Sequence, residues 1–124
     1  MRPLALLCLS FLASCSLCVA QSCMTIHGRA HYYGGDGQLR IWHIGTHHEF
    51  EPDRTTWPKV MKWLEAGVNP SDRKNYAAPA SAVDLYADFR VCPTQPFKKG
   101  SVQQAKILSA THLYYVTVYP PHKR

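Results

Sequence analysis

The sequence predicts a mainly β protein: a small, partly open, OB-like β-barrel carrying one helix. Three observations carry this. Apolar and polar residues alternate with period two over 24–33, 38–45 and 83–92, the pattern of half-buried strands. Gly34-Gly35-Asp36-Gly37 joins the first two as a hairpin, because these residues accept positive φ. A single helical stretch lies between a Thr-Thr-Trp-Pro start at 55–58 and a stop at Gly67. The order strand pair, helix, loop, three strands fits such a barrel, although no third strand is evident ahead of the helix. An α+β sheet with one packed helix is the alternative.

The first twenty residues read as a secretory signal peptide. Met1-Arg2 is the positive start, Pro3 to Leu17 is apolar or small, and Cys18-Val19-Ala20 precedes polar Gln21. A membrane-spanning helix is the rival reading, but spanning takes about 20 apolar residues and no basic stop-transfer cluster follows. Leu12-Ala13-Ser14-Cys15 also has the form of a lipobox, and lipidation at Cys15 would put the chain on a membrane. Cleavage after Ala20 leaves Cys23 and Cys92, an even pair suited to an oxidising compartment; lipidation would leave a third thiol, Cys18. A Cys23–Cys92 bridge would close a loop of about seventy residues and add about 4 kcal/mol. Two unrelated buried thiols are the alternative. The expected location is therefore periplasmic or secreted, or lipid-anchored to the envelope, and residues 21–124 form a single small β-rich domain.

Within that domain, Met24, Ile26, Ala30 and Tyr32 share one face of the first strand, and Thr25, His27, Arg29, His31 and Tyr33 the other. A two-residue loop at Gly35-Asp36 or Asp36-Gly37 puts Leu39, Ile41 and His43 on the apolar face and Arg40, Trp42 and Ile44 on the polar one. Residues 46–54 are polar and read as an exposed loop. In the helix, Trp57, Val60, Met61 and Leu64 make a core stripe, while Lys59, Lys62 and Glu65 point away. Residues 68–82, broken by Pro70 and Pro79, read as a long loop. Val83, Leu85, Ala87, Phe89 and Val91 then face the core, with Asp84, Tyr86, Asp88 and Arg90 outward as solvated charges and polar groups. Residues 102–109 and 111–119 read as two further strands, and the Pro120-Pro121 tail from 119 to 124 as frayed.

The chain has 14 Lys and Arg against 8 Asp and Glu, a formal charge of +6. That suits an anionic partner, and export argues against nucleic acid. The polar face of the hairpin is the candidate binding surface: Arg29 and Trp42 neighbour each other, with His27, His31, Tyr33 and Arg40 around them. An arginine over an indole contributes about 0.5–1 kcal/mol when exposed.

Seven histidines are the one compositional excess. His27 and His31 lie about 13 Å apart on a straight strand and cannot chelate one ion. His47 and His48, in a loop with Glu49, Glu51 and Asp53, are the candidate ligands for a divalent metal. His43 reads as a hydrogen-bonded core histidine opposite Gly28, and Cys92 as a disulfide sulfur rather than a nucleophile. No catalytic residue is assigned.

Arg40-Ile41-Trp42-His43-Ile44-Gly45-Thr46-His47 and Tyr86-Ala87-Asp88-Phe89-Arg90-Val91-Cys92-Pro93 resemble segments of small exported bacterial domains of uncharacterised function. The resemblance implies an envelope or secreted setting, and no activity. The expectation is a non-catalytic binding or accessory domain, its partner an envelope protein or an anionic polymer. A histidine-based metal-binding protein and a small secreted hydrolase built on Cys92 or His43 are the alternatives.

Overall fold

The computed structural model describes residues 22–118; the leader and the 119–124 tail lie outside the described residues. Five strands close into a barrel in the order β1-β2-β3-β5-β4. They are β1 (Met24–Tyr33), β2 (Gln38–His43), β3 (Glu49–Pro52), β4 (Val83–Pro93) and β5 (Gln103–Thr117). Between β3 and β4 come α1 (Trp57–Ala66), a short α2 (Pro70–Asn75) and a 3-10 turn over Pro79–Ala82. All strand pairs are antiparallel except β3 with β5. A closed five-stranded barrel with its helix after the third strand is the OB-like arrangement.

The hairpin has the expected parity. Tyr33 pairs with Gln38 and Ala30 with Ile41, so the loop spans the four residues 34–37 rather than two. Gly37 sits at φ +65°, which only a glycine adopts without strain. Period two then sends Ile26, Ala30, Leu39 and Ile41 inward, to meet Leu85, Ala87, Phe89 and Val91 from β4. Fully burying side chains of this size stabilises by about 1.5–3 kcal/mol each.

Three expectations are corrected. The polar run 46–54 contains β3, the strand missing from the sequence reading. Phe50 and Pro52 are fully buried, while Glu49 and Glu51 lie on the outer side, so a two-point alternation was hidden among charges. Residues 102–119 do not form two strands. β5 is continuous over 15 residues and bends through two irregularities against β4, between Tyr86 and Asp88 and between Arg90 and Val91. At the first, Leu113 and His112 stand where one residue would fit, and His112 takes φ +53°. The supposed loop 68–82 is mostly helical. Asn69 accepts a hydrogen bond from the Asp72 N–H to start α2, and Tyr76, just after it, is buried.

The helix bounds match the sequence pattern, but the groups that set them differ. Thr56 does not cap α1 with its side chain. Asp53 does that work one turn earlier, accepting from the Thr56 N–H and hydroxyl and, through its own carbonyl, from the Trp57 N–H. Burial alone would raise the Asp53 carboxyl. Bonds from Lys106, the Thr56 and Thr55 hydroxyls and the Thr56 N–H outweigh it and bring the pKa down to about 2. Gly67 ends the helix at φ −90°, so its backbone is ordinary. A glycine is needed because a Cβ there would lie 2.0 Å from the Tyr115 ring. The Tyr115 hydroxyl donates to the Trp63 carbonyl, and this ties the last turn of α1 to β5. Val60 and Leu64 close the barrel end, with Trp57, Met61 and Trp63 packed around them.

Cys23 and Cys92 form a disulfide with Cα atoms 4.1 Å apart. The neighbouring pair Met24–Val91 is in register, so the bridge joins strands that already lie side by side.

Candidate functional site

The outer face of β2, β1, β4 and β5 carries the predicted binding residues. Register decides how they meet. Arg29 stands opposite Trp42 on one side and opposite Tyr86 on the other, and Tyr86 in turn stands opposite Tyr114. One row therefore crosses four strands: Trp42, Arg29, Tyr86, Tyr114. The Arg29 guanidinium carbon lies 5.1 Å from the Trp42 ring centroid. The Tyr86 and Tyr114 rings are 6.4 Å apart, and Tyr114 is 66% exposed. The indole N–H of Trp42 donates to the Thr46 carbonyl at 2.7 Å, which fixes the ring on the surface.

Two aspartates from β4 flank this row. Asp84 is buried, beneath His31, whose Nδ1 it binds, and Arg29, whose Nε is 3.9 Å away. Asp88 holds His27 Nδ1 at 3.1 Å with one oxygen and His112 Nδ1 at 3.0 Å with the other. The sequence reading placed both as solvated charges. Asp84 is neither solvated nor free, because His31 and Arg29 on the neighbouring strand β1 reach across to it. The left-handed backbone at His112 turns its imidazole onto Asp88.

The remaining predicted residues sit at the margin of the face. Tyr33 is half exposed and edge-on to the His31 ring at 4.4 Å. Arg40 donates to Glu51 at 3.1 Å, to the Leu39 carbonyl and to Gln38. All six candidates thus lie on one surface. Tyr86, Tyr114, His112, Asp84 and Asp88 join them. Tyr86 was legible as outward-facing. Tyr114 and His112 were not, since their placement depends on β5 running unbroken alongside β4.

The structure does not gather the proposed metal ligands. His47 is exposed, whereas the His48 ring packs between Phe50 and Phe97, at 4.1 and 4.8 Å. Burial pushes the His48 imidazole below its ordinary value; a bond with Gln103 opposes this and His43 adds to it. Of the nearby acids, Asp53 is taken by Lys106 and Glu51 by Arg40. Among the described residues, no group of three or more His, Cys, Asp or Glu could hold a metal ion. His48 instead lines an open, mainly apolar cleft of about 470 Å³ with Ser22, Met24, Pro93, Phe97 and Gln103.

The hydrolase alternative loses its nucleophile, because Cys92 is in the disulfide. His43 is only half buried. It lies opposite Gly28 as expected, but the space over Gly28 is filled by Phe89 and Ile41, not by the imidazole.

No family model matches the chain, and neither a curated protein nor a solved structure is significantly similar to it.

Proposed function

We propose that this protein is a non-catalytic binding or accessory domain of the bacterial envelope or secreted fraction, working through the outer face of β2, β1, β4 and β5. The observation that supports this most is the row Trp42–Arg29–Tyr86–Tyr114. Side chains with large, flat, partly apolar surfaces are laid across four strands, and those strands are held rigid by barrel closure and by the disulfide. Aromatic side chains dominate binding surfaces because they offer much contact area for few rotatable bonds, and arginine adds a planar fork of donors that stacks on them. The apolar leader and the disulfide support an oxidising compartment outside the cytoplasm. The proposed partner is an envelope protein or an anionic polymer.

Cosedimentation of the purified, exported protein with isolated envelope material tests this. Wild type is expected in the pellet. Tyr114→Ser, at an exposed position, is expected to weaken retention about tenfold without changing the melting temperature. No retention of wild type, or equal retention of the variant, rejects the reading.

A further inference from the structure

β5 runs on past the strand that closes the barrel against it. β3 pairs with β5 only over residues 103–105, whereas β4 pairs with its other side as far as Thr117. Past Ala105, β5 therefore has a strand on one side and none on the other among the described residues. The α1 segment meets the strand at two points. At the first, the Ile107 N–H donates to the Thr56 hydroxyl and the Lys59 ammonium donates to the Leu108 carbonyl. At the second, the Tyr115 ring lies against Gly67 and its hydroxyl bonds the Trp63 carbonyl. Between them, over 109–114, β4 is the one element that bonds the backbone of β5 among the described residues. The backbone groups that point away from β4 form an open strand edge, a template for one more strand.

Folded proteins defend such an edge with charge or proline, or by covering it. This one carries neither: no Asp, Glu, Lys, Arg or Pro occurs between Lys106 and Pro120. Two bulges do interrupt β5, but they leave leucines unpaired with β4. Leu108 at one is 47% exposed, Leu113 at the other is 44% exposed, and Tyr114 follows at 66%.

Charge, symmetry and closure select a second copy of this chain as the added strand. The formal charge of +6 makes two copies repel, and the 107–119 run lets them meet with no like charges facing. Leu108 and Tyr114 are equally spaced about Thr111. Antiparallel pairing about a two-fold axis at Thr111 sets Leu108 of each copy beside Tyr114 of the other, an aliphatic–aromatic pair made twice. β1 is flanked by β2 and β4, and β4 by β1 and β5, so neither has an edge to offer along its paired length. A symmetric contact uses the open edge of both copies at once, and assembly stops at two.

We infer that the edge of β5 over 108–114 is a dimer interface, paired antiparallel with the same edge of a second copy. The sheet then continues from β2-β1-β4-β5 of one copy into β5-β4-β1-β2 of the other, with both outer faces on the same side. This goes beyond the envelope-binding reading and does not depend on it. The seam is short, so the dimer belongs to the weak, concentration-dependent class.

Sedimentation equilibrium of the purified, exported protein between about 1 and 300 µM, the range in which weak complexes dissociate, tests this. The wild-type mass is expected to rise from that of the monomer to a plateau at twice that value. Leu108→Lys and Leu113→Lys, which place like charges at the seam, are each expected to weaken dimerisation at least about tenfold. Phe97→Lys, on an exposed apolar residue away from β5, is expected to leave it unchanged. Hydrogen exchange of the wild type is expected to slow at the 109–114 amides that face away from β4 as concentration rises. Circular dichroism melts at about 1 µM separate lost pairing from lost folding. A wild-type monomer at every concentration overturns the inference. So does a dimer that folded Leu108→Lys and Leu113→Lys variants both retain, or one that Phe97→Lys dissolves. A mass that climbs past two copies without a plateau also overturns it, because the edge would then not close on itself.

Discussion

Single residues decide two features that the sequence pattern located but explained differently. The helix start at 55–58 was legible from threonine followed by proline, yet the group that secures it is Asp53, buried under Lys106, Thr55 and Thr56. Its folded pKa of about 2 lies below the ordinary 3.8. The fold therefore prefers the carboxylate, and the contribution is complete above about pH 4 and is lost as pH falls towards 2. The difference corresponds to about 2 kcal/mol. Asp53→Asn is expected to destabilise the protein by about that amount at neutral pH and to flatten the acid limb of the stability profile between pH 4 and 2. Urea titrations across that range check this; an unchanged acid limb in the variant would mean that another carboxylate governs it. Gly67 is a second case. A sequence reader assigns it to a left-handed stop, but the Tyr115 ring needs its bare Cα. Gly67→Ala is expected to cost about 1–3 kcal/mol as the ring is displaced and its bond to the Trp63 carbonyl is strained. Gly35→Ala, with nothing within 4 Å, should be close to neutral in the same denaturation assay.

Secondary-structure elements were legible where alternation was strong and hidden where it was short. The first strand, the strand beginning at Val83 and the helix came through because each has several inward apolar residues at a regular period. β3 has two inward residues, Phe50 and Pro52, set among Glu49, Glu51 and Asp53, and a proline argues against a strand. It is tolerated here because β3 is only four residues long and pairs with β5 at its last position through the Pro52 partner Ala105. β5 was split in the sequence reading because its alternation changes phase near 108 and again near 112. Those are the positions where its register slips against β4. A bulge flips the side on which following residues point, which breaks a period-two reading without breaking the strand. The disulfide belongs to this scale too. It joins β1 and β4 across a sequence separation of 69, and its removal is expected to cost about 4 kcal/mol. For a domain this size that lowers the melting temperature by at least about 15 °C. Melting curves of Cys23→Ser/Cys92→Ser against the oxidised protein measure it; a shift of only a few degrees would show that the unfolded chain is already compact.

Over the whole molecule, the candidate site was half legible for the same reason as the fold. The hairpin parity put His27, Arg29, His31, Tyr33, Arg40 and Trp42 on one face, because a hairpin is local. The partners that complete the row, Tyr86 and Tyr114, arrive from strands more than forty residues away, and only barrel closure says which strand lies beside which. Closure also distributes stability unevenly. β1 and β4 pair continuously from Met24–Val91 to Ala30–Leu85 and are bridged by the disulfide. The seam between β3 and β5 consists of Phe50–Gln103, Glu51–Gln104 and Pro52–Ala105, and Pro52 has no N–H to offer. Opening that seam exposes Phe50 but leaves the four-stranded sheet and its outer row intact. Native-state hydrogen exchange is expected to show the β3 amides exchanging at least about tenfold faster than those of β1 and β4, through an opening that requires less denaturant than global unfolding. Equal protection of β3 and β1 would instead mean that α1 and β3 open only with the whole barrel. In that case the binding face and the helix-capped end form one cooperative unit, and a ligand on the face would protect both to the same extent.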